Sequence, residues 1–316
     1  MFWALFAVLL GAFVVLTALR ARNFTKKAEQ DTPPVGQFID VNGVPVHYIK
    51  QGSGPALILI HGAGGHLKDF TYDHVARFSK NFTVIAFDRP GHGYTPVLKN
   101  TSATLAQQAQ LITKAAEKLG ITQAYVLGFS YGGALALYMA IHNKDFVKGL
   151  VLVSAVSMPW PGTIHLNYRL MSKPIIGPAL MAFATAYFGN AYFRAVYATV
   201  FAPHATPKGY LEHVGVNMSV RFRSFVENSR QLNSLRPQIV EQSKRYADLT
   251  IPIELIHGTN DPTVPDIIHA KKFIKLVPHA HLVQVHGMGH GTHQLAIPQI
   301  EAALYAIAAD TNRTPP

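Results

Sequence analysis

The chain has 316 residues, 49% of them hydrophobic and 14% charged, with a formal net charge of +11 and no cysteine. That length suits one large α/β domain carrying an insertion, or two ordinary domains, and the apolar excess over an average soluble domain points to extra hydrophobic surface. The lack of cysteine excludes disulfides, thiol nucleophiles and Cys-bound metals; the positive charge would suit nucleic acid, an anionic membrane or acidic substrates, but no zinc-finger, RRM-like or Lys/Arg-run pattern supports nucleic acid.

Residues 1–19, MFWALFAVLLGAFVVLTAL, contain no charged side chain. As a helix rising 1.5 Å per residue they would span about 28 Å, close to the ~30 Å hydrocarbon core of a bilayer. A single-pass transmembrane anchor is expected. A cleaved signal peptide is the rival reading, but a basic stretch before the apolar run is missing and no small-x-small cleavage pattern precedes Arg20. Arg20, Arg22, Lys26 and Lys27 follow the run directly. By the positive-inside rule that flank, and the domain beyond it, faces the cytoplasm. Residues 20–36, ending around Asp31-Thr32-Pro33-Pro34, read as a linker.

Asn42-Gly43 between two alternating runs predicts an antiparallel hairpin at the start of the domain. Residues 56–60 (ALILI) form a continuous apolar run, as in a strand buried on both faces of a parallel sheet, and lead into His61-Gly62-Ala63-Gly64-Gly65. A second such strand, 82–87, ends in Asp88-Arg89-Pro90-Gly91-His92-Gly93. Residues 101–119 have helical composition, with Thr101 or Ser102 as the expected cap and Gly120 closing the helix. Residues 125–133, YVLGFSYGG, then pass from strand through a sharp turn into a helix over 134–142. Ser130 sits at the centre of G-x-S-x-G. The glycines at minus two and plus two remove the Cβ atoms that would clash in so tight a turn, and the helix N-terminus beyond it favours developing negative charge. A further strand is expected over 149–154.

About 90 residues separate that strand from the next, at 251–256, far more than a strand–helix connection needs. Residues 158–248 are rich in Ala, Leu, Met, Phe and Tyr, and prolines such as Pro174, Pro178, Pro203 and Pro237 are expected to divide them into short helices. The stretch 175–201 is especially apolar. It supplies either the core of this inserted unit or, in part, the lining of an apolar pocket. The insertion also carries ten basic side chains against four acidic ones, a surface suited to solvent or to anionic headgroups.

Beyond the insertion, 251–256 runs into His257-Gly258-Thr259-Asn260-Asp261-Pro262, and 281–286 into Gly287-Met288-Gly289-His290 before a C-terminal helix over 294–307. Asp261 follows a strand, whereas Asp248 and Asp266 do not. Among the histidines near the C-terminus, His286 lies on a strand and His293 opens a helix, leaving His290 in the loop between them. No H-E-x-x-H or comparable ligand spacing appears among the 16 histidines, so no metal and no cofactor is expected.

With these turns in this order, the chain from about Gln37 onward resembles the α/β-hydrolase family. The resemblance implies an α/β-hydrolase fold: a mostly parallel eight-stranded sheet flanked by helices, its core formed by residues 37–157 and 249–316, with 158–248 inserted as a helical cap. It implies Ser130 as nucleophile, His290 as base and Asp261 as its carboxylate partner, with the backbone N–H groups of Ala63 and Tyr131 as oxyanion hole. His61, Asp88, Arg89 and His92 would serve as scaffold. The expected function is a membrane-anchored serine hydrolase acting on an ester-type bond of a lipophilic small molecule. C–C bond hydrolases, perhydrolases and acyltransferases share the same triad, and a non-catalytic ligand-binding protein could keep the shell. Relatives with an Asp nucleophile are set aside because position 130 is Ser.

Overall fold

The computed structural model describes residues 1–98 and 103–311. The strands β1 Gln37–Val41, β2 Val44–Gln51, β3 Ala56–Ile60, β4 Thr83–Phe87, β5 Ala124–Phe129, β6 Val147–Val153, β7 Ile253–Gly258 and β8 His281–Val285 form one sheet in the order β1-β2-β4-β3-β5-β6-β7-β8. The opening hairpin turns on Asn42 and Gly43 with φ of 54° and 80°, the left-handed pair that a two-residue type I′ turn requires. β1 pairs antiparallel with β2 and β2 antiparallel with β4; every later pairing is parallel.

The apolar runs of the central strands follow from burial on both faces. Ile58 and Ile60 of β3 enter a core shared with the helices Leu105–Lys118 and Tyr131–His142, while Leu57 and Leu59 enter the opposite core, shared with the helix Ile297–Thr311. At about 1.5–3 kcal/mol per buried aliphatic side chain, these four contribute roughly 6–12 kcal/mol before the cost of ordering the chain. The helix after β4 begins at Leu105, later than its composition suggests, because Thr104 and Gln107 close a reciprocal capping box there. The expected caps Thr101 and Ser102 lie outside the described residues.

Between β6 and β7 the insertion folds into the helices Leu166–Met171, Ile176–Tyr187, Asn190–Ala198, Tyr210–Val214 and Phe222–Ser243. Pro237 does not divide the last of these, contrary to the expectation from sequence. Leu235 and Ile239 on either side of it are buried in the main core, and the Gln238 side chain donates to the Ser234 carbonyl at 2.9 Å. Tertiary packing there outweighs the missing N–H of proline. The apolar stretch 175–201 turns inward at Met181, Phe193 and Phe201, but Ile176, Leu180, Phe183, Tyr192 and Val196 face outward.

The linker expected over 20–36 is corrected in its first two thirds. A single helix runs from Phe2 to Asp31. Its apolar half is exposed, and it is long and apolar enough to cross a membrane. Its second half packs on the cap: Ala21 and Ala28 are buried, Phe24 meets Phe193 edge-on at 5.7 Å, and Glu29 pairs with Arg221 at 2.7 Å. Arg20 stacks over the Tyr187 ring, whose hydroxyl lies 2.9 Å from that of Thr17. The charges at 20–27 that read as the end of an apolar segment are the polar side of a continuing amphipathic helix.

Candidate active site

Ser130 stands between the end of β5 and the helix Tyr131–His142, with φ 54° and ψ −115°. A non-glycine residue in this region is strained, and the surroundings hold it there: the Ser130 N–H donates to the Val153 carbonyl at 3.0 Å, and its own carbonyl accepts from Gly133 and Val156. The flanking glycines are required by close approach. A Cβ on Gly132 would collide with the carbonyls of Ile60 and His61, and one on Gly128 with the carbonyl of Gly132; from the facing loop, one on Gly62 would stand 3.2 Å from the Ser130 Cβ.

The structure brings the three candidate side chains together. His290 Nε2 lies 3.0 Å from Ser130 Oγ, and His290 Nδ1 lies 2.7 Å from Asp261 Oδ2. A carboxylate can only accept, so Nδ1 carries the proton and Nε2 is left to accept from the serine hydroxyl. The other carboxylate oxygen of Asp261 accepts the backbone N–H groups of Thr263 and Val264 at 2.9 and 2.8 Å. Burial works against the charge on Asp261. The His290 imidazole and these bonds outweigh it and hold the carboxyl below its usual range. Thus Asp261 is an anion fixed in orientation. The competing residues are engaged elsewhere: Asp266 pairs with Lys271, Asp248 with Arg245, His286 is exposed, and His293 stacks on Phe129 at 3.8 Å.

Of the two proposed oxyanion donors, Tyr131 is the first residue of its helix, whose N–H has no intrahelical acceptor. Ala63 lies exposed in the loop after β3, directly beyond the Gly62 that crosses over Ser130. Arg89 builds that loop from beneath. It is fully buried, donates to the carbonyls of His61 and Gly62 at 3.1 and 2.9 Å, and reaches Gln108 and Gln231 with its remaining nitrogen. Its guanidinium covers the Tyr131 ring at 4.2 Å. Burial draws its pKa down to about 10, so it remains a cation at neutral pH. His61 donates from Nδ1 to the Gly62 carbonyl and accepts the Arg89 N–H on Nε2, a pinning role with no ring nitrogen left over. Asp88 accepts the N–H groups of Leu67 and Tyr94 and contacts His47. His92 lies within this scaffold, against the Pro90 carbonyl and Asn228.

Two features of the site were not read from sequence. Asn228 of the cap accepts the Gly64 N–H at 2.9 Å, so the loop bearing Ala63 is steadied by a residue 164 positions away. Asp69 is buried beneath the cap hydroxyls of Tyr210 and Tyr197, at 3.1 and 3.3 Å. Burial pushes its pKa up to about 7, only partly opposed by these bonds. A carboxyl raised in this way stabilises the fold fully below its unfolded value near 4 and loses that contribution as pH rises to about 7. His66 and His74, pushed down to about 4 by burial, act in the opposite sense, with stability lost as pH falls through 6.5 to 4. The difference between Asp69→Asn and the parent chain isolates the carboxyl. In urea unfolding the two should match near pH 4, and the variant should gain on the order of 2–4 kcal/mol by pH 7.5; a difference that does not vary with pH would refute the assignment.

Among the described residues no group of three or more His, Cys, Asp or Glu side chains could hold a metal ion. What the site arranges is a hydroxyl on a strained strand-to-helix turn, in hydrogen-bonded line with an imidazole and a carboxylate, an order of groups that suits nucleophilic attack. Residues 55–295 match the alpha/beta hydrolase fold family, and the chain belongs to that family. A dihydrolipoyllysine-residue acetyltransferase component of an acetoin cleaving system from Cupriavidus necator is 38% identical over 157 residues, 47% of this chain and 41% of that one. A pimeloyl-[acyl-carrier protein] methyl ester esterase from Vibrio vulnificus is 35% identical over 111 residues, 35% of this chain and 40% of that one. The chain thus spans less than half the length of both. Among solved structures, a membrane phospholipase A superposes with a TM-score of 0.65 at 19% identity, covering 99% of this chain and 98% of that one.

Proposed function

We propose that the protein is a membrane-anchored serine hydrolase that cleaves an ester-type bond of a lipophilic small molecule through an acyl-enzyme. The observation that carries this reading is the continuous hydrogen-bonded line from Ser130 Oγ through His290 to Asp261, at 3.0 and 2.7 Å. His290 Nε2 takes the hydroxyl proton as Ser130 Oγ attacks the carbonyl carbon. The tetrahedral oxyanion is held by the N–H groups of Ala63 and Tyr131. His290 then protonates the leaving alkoxide, and a water deprotonated by the same imidazole releases the acid. Asp261, already an anion, stabilises the imidazolium in each half without accepting its proton.

The lipophilic character of the substrate is supported by the outward-facing Ile176, Leu180 and Phe183 of the cap, on a helix whose Tyr187 stacks with Phe13 of the N-terminal helix at 6.0 Å. Such a face, beside a helix able to cross a bilayer, suits a site fed from lipid. The ester chemistry is supported by the esterase among the relatives. The cytoplasmic facing rests on Arg20, Arg22, Lys26 and Lys27. Because the chain has no cysteine, a single Gln30→Cys can be probed in intact cells. It should react with an impermeant maleimide only after permeabilisation; reaction in intact cells would reverse the orientation. For the substrate class, a panel of p-nitrophenyl esters from acetate to palmitate should give kcat/KM rising with acyl length by at least tenfold, with no turnover by Ser130→Ala. A maximum at acetate or butyrate would rule out a lipid-like substrate.

A further inference from the structure

Where the exposed apolar half of the N-terminal helix ends, a cavity of about 730 Å³ opens between this helix, the segment 91–97 and the start of the cap helix Phe222–Ser243. None of Ser130, Asp261, His290, Gly62 or Ala63 lines it. Ala18, Arg22, Lys26 and Glu29 of the N-terminal helix recur along one wall at spacings of three and four, so they share one face of that helix. Across from them stand Val97, Ala182 and Phe222.

The charges in this cavity divide into two groups. Arg221 is buried and fully engaged: it donates to Glu29 at 2.7 Å, to the Met218 carbonyl, to the Gly93 carbonyl and to Ser224. It fastens the helix to the cap, and its charge is cancelled by Glu29. Arg22, Lys26 and Arg223 are exposed at the rim and have no acidic partner among the described residues. Three unpaired cations therefore surround an opening whose inner wall is largely apolar. Arg22 lies three residues past the uncharged run, about 4.5 Å further along the helix axis. If that run occupies the hydrocarbon, these cations stand at the depth of lipid phosphates.

We propose that this cavity binds an anionic phospholipid as a ligand distinct from the substrate. Its phosphate lies among Arg22, Lys26 and Arg223, and an acyl chain follows Ala18, Ala21 and Phe222 toward the apolar run. The inference rests on the membrane-anchor reading. Guanidinium and ammonium groups at three points suit a phosphodiester with an uncharged or anionic headgroup, whereas the cationic choline of a zwitterionic lipid would meet the same positive rim.

The test uses the full chain in dodecyl maltoside, with binding read by native mass spectrometry and thermal shift. Dioctanoyl phosphatidylglycerol should bind at least tenfold more tightly than dioctanoyl phosphatidylcholine, and inorganic phosphate at equal concentration should not bind. The triple variant R22Q/K26Q/R223Q should lose this preference yet hydrolyse a soluble butyrate ester at the parent rate. The variant R22K/R223K should retain the preference. Equal binding of the two lipids by the parent chain overturns the proposal, as does a preference that survives the triple variant. Binding of phosphate alone as tightly as phosphatidylglycerol would reassign the cavity to the free ion. The parent-chain comparison decides even if the triple variant misfolds. Extraction of cell membranes with alkaline carbonate separates the two readings: release of the protein overturns the anchor, whereas retention without lipid preference overturns only this site.

Discussion

Replacing Ser130 by alanine should lower kcat by about 10⁶-fold on an ester substrate, while KM should change little. The size of the loss follows from the geometry. Among the described residues Ser130 Oγ is the hydroxyl hydrogen-bonded to His290 Nε2, and in the proposed mechanism the base, its carboxylate and the N–H groups of Ala63 and Tyr131 would retain without it only the ability to hold the carbonyl for attack by water. A residual rate of 10³–10⁴ over the uncatalysed reaction is expected from those groups. Asp261→Asn leaves the nucleophile in place but offers His290 an amide, which can stabilise the wrong tautomer, and should lower kcat by about 10⁴-fold. Steady-state kinetics on both variants, with circular dichroism to confirm folding, checks the pair. A Ser130→Ala protein that keeps more than a hundredth of the parent kcat would show that the chemistry lies elsewhere.

The largest effect on stability should come from Arg89. Arg89→Met fills similar space with an apolar chain but leaves the His61 carbonyl and the facing amide oxygens of Gln108 and Gln231 buried without a donor, while the Gly62 carbonyl keeps only the donors His61 Nδ1 and the Gly65 N–H. The amide nitrogens of both glutamines are already held, by Ala103 and Tyr131 for Gln108 and by Pro90 and Glu227 for Gln231, so their oxygens stay turned to the gap, and the His61 carbonyl is fixed by the loop. At about 1–3 kcal/mol for each orphaned group, and with the lost stacking on Tyr131, the substitution should cost about 3–5 kcal/mol. Equilibrium urea unfolding measures it. Because the His61 and Gly62 carbonyls belong to the loop that presents Ala63, activity at low temperature should also fall by roughly tenfold in the protein that remains folded, as expected for a slightly displaced oxyanion donor. A loss below 1 kcal/mol would mean that water replaces the guanidinium and that the loop is held from elsewhere.

The parts of the site that were legible in sequence are those fixed by local backbone demands. The turn at Ser130 needs glycine at 128 and 132, the hairpin needs Asn42-Gly43, and the loops bearing Asp261 and His290 each follow an apolar strand, so each leaves its mark within a few residues. The strands themselves were legible because burial on both faces leaves an unbroken apolar run, as at 56–60. What escaped depends on contacts between distant residues. Nothing near Asn228 announces a bond to Gly64, and nothing near Asp69 announces the hydroxyls of Tyr197 and Tyr210 above it. The continuation of the N-terminal helix through Arg20–Lys27 escaped for a related reason. A cluster of charges after an apolar run marks a membrane boundary equally well whether the chain then uncoils or stays helical, and here the choice is made by packing against Phe193, Tyr187 and Arg221. Pro237 is the converse case, in which a strong local signal yields to the burial of Leu235 and Ile239.

The site and the N-terminal helix are linked through the cap. Arg221 joins Glu29 of the helix to the Gly93 carbonyl, and Gly93 belongs to the same turn as Asp88 and Arg89. One element therefore touches both the helix that would lie in lipid and the scaffold beneath the loop at Ala63. In the proposed function this arrangement ties the scaffold beneath the loop at Ala63 to the membrane helix.

The most direct measurement of the central claim is covalent. The folded protein is treated with a fluorophosphonate, digested and sequenced by mass spectrometry, alongside His290→Ala. Phosphonylation of Ser130 in the parent chain, at a rate reduced at least a hundredfold in His290→Ala, is the predicted result. A folded parent chain that stays unlabelled, or is labelled at another residue while Ser130 remains free, would contradict it.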